Sequence, residues 1–583
     1  MPSALTTMQP WLAHYDRHVP PTLSPYPEKS LVDYLREHAS FAPDAPAVLF
    51  KGRRLSYAEL NRSSDRFGGA LTRFGVRRSD RVALVLPNCP QFLIAEIGAW
   101  KAGAIVLPLN PLYGADELAA ALRAADATIA VVLTPFYQRL KEIQPQTHVG
   151  KLIATGIKEY LPPVLGVLFT LFKEKKDGHR IHLEPGDEWF QTCIREAGLK
   201  ASPTSAGVGP GFSPADPAPD DPAILLLSGG TTGTPKAVLG KHRHFVTAGL
   251  QLKSWLTPPA VASGVKGPDV ALVPLPLFHV YACVGVQSHS LVNRTPMALV
   301  PNPRDLDDLL QTIDRVKPTL FSAVPALFIA LLNHPKVQAK QADFSSIRAC
   351  FSGAAPLMAA TKARFEELSG GRIVEGYSLT EAMMACIVNP LEGTNKIGSV
   401  GIPLPDVEVA IFDPESADRF LPTGENGEIL LRAPQLMAGY WHNSEETERT
   451  LRAHGAGAPW LHTGDLGYLD SDGYLFIVDR QKDLIKTSGY QVWPREIEEV
   501  LALHAAVADV GVAGIPDTVK GEVVKAWVVC RPGVKVTEEE LRAYCRSKLA
   551  PFKVPAHIEF RDTLPKTIAG KVLRRALKAE HKN

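Results

Sequence analysis

The chain has 583 residues, 45% hydrophobic and 21% charged, and its 63 basic and 61 acidic side chains leave a net charge of +2. That balance offers no electrostatic footprint for nucleic acid, and the length asks for more than one domain. Seven cysteines, without CxxC spacing, argue against a disulfide framework or a zinc site and for a reducing compartment. The opening MPSALTTMQPWLAHYD has no signal-peptide pattern, and no apolar run reaches the ~20 residues of a membrane span.

Residues 60–74 have helical periodicity with a polar face. Residues 81–86 read as a buried strand ending at Pro87-Asn88, 92–101 as a helix and 104–108 as the next strand. A second unit follows, with a helix over 117–125 and a strand over 127–133. This alternation predicts a layered α/β domain with mainly parallel strands. Residues 161–172, LPPVLGVLFTLF, are apolar and run into Lys173-Glu-Lys-Lys176. The segment is either an interfacial anchor with a basic edge or a helix packed on the domain. Pro162-Pro163 spoils a long amphipathic helix and favours the packed reading. Residues 201–222, rich in Pro, Gly, Ala and Ser, form a loop, and the glycines of 207–211 have no helix after them to hold a nucleotide. Residues 467–469 and 474–478 flank Asp470-Ser-Asp-Gly473, a hairpin signal. Beyond it, a helix over 496–504, strands over 507–512 and 523–529 and a helix over 538–549 mark a second domain. The expected domains are 1–481 and 482–583.

An apolar strand end at 225–227 runs into Ser228, Gly229, Gly230, Thr231, Thr232, Gly233, Thr234, Pro235 and Lys236. Glycines let backbone N–H groups converge on an anion, threonine hydroxyls add donors and the lysine adds charge, so the loop is a phosphate cradle rather than a surface turn. It is not a Walker A loop, which needs Gly before the lysine and Ser or Thr after it; here Pro235 precedes Lys236 and Ala237 follows.

This loop resembles the signature of the adenylate-forming superfamily of acyl-CoA synthetases, peptide-synthetase adenylation domains and luciferases. The superfamily's other motifs follow in order: Pro276-Leu-Phe-His279, Ser352-Gly-Ala-Ala-Pro-Leu357, Glu375-Gly-Tyr-Ser-Leu-Thr-Glu381, Leu461-His-Thr-Gly-Asp465, Asp479-Arg-Gln-Lys-Asp-Leu-Ile-Lys486, Ser488-Gly-Tyr-Gln-Val-Trp-Pro494 and Leu564-Pro-Lys-Thr-Ile-Ala-Gly-Lys571. The resemblance spans about residues 31–578. It implies a large layered N-terminal domain with mainly parallel sheets and a small β-barrel-like subdomain, followed by a small mobile α/β domain.

The resemblance also implies roles. Glu381 binds Mg²⁺, for which one carboxylate beside ATP is chemically suitable, and Thr380 contacts the α-phosphate. Glu375 and Gly376 belong to the same ATP/AMP-binding motif. Tyr377 stacks on adenine, the alternative being a core tyrosine. Asp465 accepts from both ribose hydroxyls, as an ionised carboxylate can. Arg480 is a second ribose contact and Lys482 the hinge, the alternative for both being an ordinary surface charge. Lys571 offsets the repulsion between carboxylate and triphosphate in the first half-reaction, although a lysine in so basic a tail is ordinarily solvated. Lys486 serves the second half-reaction, with Ser488, Gly489 and Tyr490 guiding the CoA thiol, and a domain rotation exchanges the two lysines. His279 and Tyr281 form a wall of the acyl pocket, the alternative for His279 being a satisfied core histidine. Gly353, Ala354 and Ala355 form the strand edge lining acid and adenine.

The chain departs from the common pattern at Ala237, Lys241-His-Arg-His244, Ala282 and Ser378, which bears on pocket shape and acid preference. The opening Trp11, Tyr15 and Val19-Pro20, the 155–200 insertion and the ending 554–575 look most like bacterial long-chain fatty acid–CoA ligases. The expected substrates are therefore a fatty acid, ATP and CoA, with Mg²⁺ as cofactor, in a cytoplasmic protein with room for peripheral attachment to the inner membrane face and for a homodimer. Rivals are a ligase for an aromatic or medium-chain acid, a fatty acyl-AMP ligase and a catalytically silent fatty-acid-binding protein.

Overall fold

The strand Arg81–Val85 is buried at every position after Arg81, as expected of a parallel strand covered on both faces. It pairs in parallel with Ile105–Pro108 on one side and Ala127–Leu133 on the other. The helix between the first two, α1 (Pro90–Lys101), is buried all round. Its Trp100 indole donates to Ala223 O at 2.9 Å, and the ammonium of its Lys101 pairs with Asp65 at 2.7 Å. These strands belong to an eight-stranded sheet that also holds β1 (Pro222–Ser228) and β2 (Lys236–Lys241). The computed structural model describes residues 9–199, 216–228, 236–256, 269–384, 386–416, 419–455, 457–480, 483–487, 490–517, 520–566 and 572–581.

The segment at 161–172 differs from the packed helix expected of it. It forms α2 (Pro163–Phe172), and none of its residues is buried. Pro162 and Pro163 do not break it: they occupy the N-cap and first position, where a missing N–H costs nothing.

A second sheet of nine strands is parallel from Ala271–Val273 through Leu320–Ala323 and Ala349–Ser352 to β3 (Arg372–Tyr377), then turns antiparallel at Ile387–Val388. A third, antiparallel sheet of five strands contains β4 (Gly427–Arg432), β5 (Trp460–Leu469) and β6 (Leu475–Arg480), and the short helix α3 (Ser444–Thr450) precedes β5. This is the counterpart of the expected barrel-like subdomain, with its edges unjoined among the described residues. The expected hairpin at 470–473 joins β5 to β6.

The smaller C-terminal sheet holds β7 (Ile485–Thr487), Tyr490–Val492, Val507–Asp517, Gly521–Cys530 and His557–Phe560. Helices α4 (Pro494–Ala502), Glu538–Arg546 and α5 (Arg574–His581) accompany it. The molecule is thus α/β with mixed, mostly parallel sheets in a large N-terminal part and a smaller C-terminal part. All seven cysteines are free. Among the described residues, no helix is long and apolar enough to cross a membrane.

Candidate active site

The strands β1 and β2 are antiparallel and in register from Leu225↔Leu239 to Ser228↔Lys236. The two ends of the phosphate loop therefore face each other. Gly229, Gly230, Thr231, Thr232, Gly233, Thr234 and Pro235 lie outside the described residues. The Lys236 ammonium pairs with the Glu446 carboxylate on α3 and sits 5.3 Å from the ring centre of Tyr440. Tyr440 arrives on Gly439–Tyr440, a two-residue strand on the edge of β2. Gly439 has φ +141°, and a Cβ there would lie 2.8 Å from Thr447 Cγ2, so the approach requires glycine. Thr447 Oγ1 in turn accepts from Tyr440 N–H at 2.8 Å.

The Tyr440 hydroxyl donates to Glu381 Oε1 at 2.9 Å. Burial, then the Glu381 charge, push its pKa well above the usual range, so the phenol remains a donor. The loop lysine and the expected Mg²⁺ carboxylate are thus joined through one aromatic side chain. Tyr440 and Glu446 were missed in the sequence reading. The available signal was Gly439-Tyr440 followed by Asn443, whose side chain caps α3 by accepting from Glu446 N–H. Thr380, next to Glu381, accepts Met383 N–H at its carbonyl and is half-buried.

A second cluster forms where β3 meets β5 and β6. Register places Asp465 opposite Arg480. The Tyr377 hydroxyl donates to Asp465 Oδ2 at 2.7 Å, and Arg480 Nε lies 2.9 Å from Oδ1. The latter is a charge contact rather than an aligned hydrogen bond, because Nε has no partner in hydrogen-bonding geometry. Burial and the adjacent Asp465 raise the Tyr377 pKa far above its usual value, and Asp465 is the main influence raising that of Arg480. The Glu381 charge also raises the Arg480 pKa, so the two clusters are electrostatic neighbours. The expected adenine and ribose residues are therefore in contact with one another. Glu375 accepts Leu357 N–H at 3.2 Å, and burial raises its pKa.

The expected acyl wall adjoins β3. Tyr281 opens a π-helical turn, Tyr281–Val286, and is buried. A Cβ on Gly353 would lie 3.2 Å from the Tyr281 ring and 3.5 Å from Gly376 O, so this glycine lets the Tyr281 ring pack close to β3. Ala354 has φ +69°, a left-handed conformation that strains an alanine; it is exposed and Ala355 half-buried. His279 is reachable by solvent, and the protein mass around it lowers its pKa by desolvation. Its Nδ1 accepts Tyr281 N–H at 3.3 Å, which assigns the proton of the neutral ring to Nε2.

In the small domain, Lys486 is exposed, and its N–H donates to Glu522 Oε2 at 3.0 Å. Tyr490 is exposed and stacks on Phe552 with ring centres 4.3 Å apart. Lys482, Ser488, Gly489 and Lys571 lie outside the described residues. A cleft of about 820 Å³ on this domain, lined by Cys530, Lys535 and Arg561, contains none of the expected site residues.

Among the described residues, no group of three or more His, Cys, Asp or Glu could hold a metal. A single carboxylate, Glu381, linked through Tyr440 to Lys236, instead fits Mg²⁺, which keeps several waters and takes most of its other ligands from phosphate.

A model of the AMP-binding enzyme family matches residues 35–441, and one of the AMP-binding enzyme C-terminal domain matches residues 496–571. The chain is 38% identical over 576 residues to a long-chain-fatty-acid–CoA ligase of Bacillus subtilis, covering 99% of both chains. It is 33% identical over 535 residues to 4-coumarate–CoA ligase-like 9 of Oryza sativa, covering 91% of this chain and 88% of that one. Among solved structures, the anthranilate CoA ligase AuaEII in complex with anthranoyl-AMP superimposes with a TM-score of 0.80 at 26% identity, covering 95% of this chain and 98% of that one. ATP-bound MatB from Rhodopseudomonas palustris gives 0.78 at 27% identity, covering 95% and 99%.

Proposed function

The chain belongs to the AMP-binding enzyme family of acid–CoA ligases, and we propose that within it the protein is a long-chain fatty acid–CoA ligase. The fatty carboxylate attacks the α-phosphorus of ATP, forming acyl-AMP and releasing pyrophosphate. The CoA thiol then attacks the acyl carbon, releasing AMP. The observation that carries this reading is the pair of neighbouring clusters, Lys236 with Tyr440 and Glu381, and Tyr377 with Asp465 and Arg480. Full-length likeness to a long-chain-fatty-acid–CoA ligase supports the substrate class.

Tyr377 donates to Asp465 Oδ2 and Arg480 faces Oδ1, and the remaining lone pairs of the carboxylate accept from ribose hydroxyls. Lys236 stands at the mouth of the phosphate loop paired with Glu446, and ATP competes with that carboxylate for the ammonium. Tyr440 orients Glu381, which would hold Mg²⁺; the bound ion offsets the charge of the triphosphate and of departing pyrophosphate. Lys571 supplies a fixed cation between acid and α-phosphate. Lys486 serves the thioester step, with Ser488, Gly489 and Tyr490 guiding the thiol and Lys482 as pivot. His279, Tyr281, Gly353, Ala354 and Ala355 line the acyl pocket. The acid reaches the enzyme at the cytoplasmic face of a membrane.

The test is pyrophosphate release and CoA consumption across acids of graded chain length. Lys571→Ala should abolish acyl-AMP formation yet spare thioester formation from supplied acyl-AMP, and Lys486→Ala should do the reverse. Equal loss of both steps refutes this division of labour, and acyl-AMP that accumulates while CoA is untouched refutes the second half-reaction. No release with any acid refutes the enzyme reading. A ligase for an aromatic acid is the second reading, favoured by likeness to 4-coumarate–CoA ligase-like 9 and to the anthranilate CoA ligase. Preference for an aromatic acid in the same panel decides for it.

A further inference from the structure

Helix α2 presents six large apolar side chains to solvent. Val164, Val167, Leu171 and Phe172 are 72, 60, 69 and 71% exposed, and Leu165 and Leu168 join them. At 3.6 residues per turn the six fall within an arc of about 160°. The opposite side, Gly166, Phe169 and Thr170, is half-buried, with the Phe169 ring edge-on to His179 at 5.1 Å. An apolar face of this kind on a polar protein marks an interaction surface.

The charges beside it identify the partner. Lys173, Lys175, Lys176 and Arg180 are exposed just past the helix. Of the two acids among them, Glu174 is buried and paired with Lys158, which leaves Asp177 alone at the surface. A cleft of about 360 Å³ opens at the same place, lined by Phe169, Arg180, Trp189 and Arg195 among others. An apolar face with a rim of cations and a tryptophan at its edge matches the boundary between acyl chains and anionic headgroups. A second copy meeting this face about a two-fold axis would set the same cations against each other. Ten residues of helix rise about 15 Å, half the thickness of a bilayer core, so α2 lies in the surface and does not cross it.

We propose that α2 docks the protein on anionic phospholipid bilayers, its apolar face entering the acyl-chain boundary while Lys173, Lys175, Lys176 and Arg180 meet the headgroups. The surface rests on the fatty-acid reading for its purpose and not for its binding.

The experiment is sedimentation of the full chain with vesicles of phosphatidylcholine, with and without phosphatidylglycerol. Wild type should bind the phosphatidylglycerol vesicles, and salt should weaken that binding. Leu171→Glu with Phe172→Glu should lower it by at least about tenfold, and Lys175→Glu with Lys176→Glu should remove the preference for phosphatidylglycerol. These side chains are exposed, so pyrophosphate release with a water-soluble short-chain acid should stay at the wild-type rate. Wild type that ignores both vesicles, or a Leu171→Glu, Phe172→Glu chain that binds like wild type, overturns the proposal. A wild-type dimer that this double variant splits, with no vesicle binding by either, assigns the face to a second copy and overturns it as well. Vesicle binding is read without ATP or acid, so it stands or falls apart from the ligase reading.

Discussion

Glu96 sits in the middle of α1 with no exposed surface. The Gln287 amide donates to its Oε2 at 2.5 Å and the Cys283 thiol to its Oε1 at 3.4 Å. Burial raises its pKa from 4.5 to about 8, although both donors pull the other way. The folded carboxyl therefore keeps its proton up to about pH 8, while the unfolded one releases it from pH 4.5. Between those values the unfolded chain binds fewer protons, so stability falls as pH rises. The contribution is fully present below the unfolded pKa and lost as pH passes through the folded one. From pH 5 to pH 9 the loss is about 4 kcal/mol, at 1.36 kcal/mol per unit. Glu96→Gln keeps the shape and removes the titration, and Gln287 Oε1, buried without a partner, can accept from the new amide. Thermal unfolding of both proteins across this range should show the variant gaining on wild type by about 4 °C at pH 9 relative to pH 5, if roughly 480 residues melt together. Other titrating groups cancel in the comparison. A gap that stays constant with pH refutes the account of Glu96 as a neutral buried acid.

Tyr377→Phe removes a donor from a buried carboxylate, an interaction of about 1.5–3 kcal/mol. It should lower kcat/KM for Mg·ATP by about 10- to 100-fold without changing the fold, as read by pyrophosphate release. Arg574 on α5 binds Asp479, Asp483 and Glu498 at 2.7–2.9 Å. Arg574→Met strands these acids, Asp479 among them buried, and should destabilise the small domain by about 3–5 kcal/mol. A lower first melting transition, with faster proteolysis near residue 482, checks this.

Much of the fold was legible because local pattern decided it. Residues 127–133 read as a strand and form one at the same limits, since an unbroken apolar run fits a strand covered on both faces. The hairpin at 470–473 was equally plain from its turn residues. Asp465 and Arg480 were readable as motif members, and their contact follows from the register of β5 and β6. The Lys236–Tyr440–Glu381 chain was not readable, because its members lie some 60 to 200 residues apart and only the Gly439–Tyr440 edge strand brings them together. The state of Glu96 was hidden for the same reason, its donors lying almost two hundred residues on. Helix α2 misled in another way. Prolines that would break a helix internally begin this one, and nothing in an apolar stretch says whether protein will cover it.

Asp479, near the end of β6, has both carboxylate oxygens taken by groups that follow it in the chain. Arg574 grips Oδ1 at 2.9 Å and the Arg495 backbone N–H donates to Oδ2 at 2.9 Å, while the Arg495 guanidinium holds Ile477 O at 2.8 Å. These bonds span residue 482, the hinge proposed above, so a turn of the small domain there works against all three. They form a latch. Each neutral bond contributes about 1 kcal/mol and the charged one more. In the two-step reaction we propose, Asp479 then opposes the turn of the small domain between one half-reaction and the next.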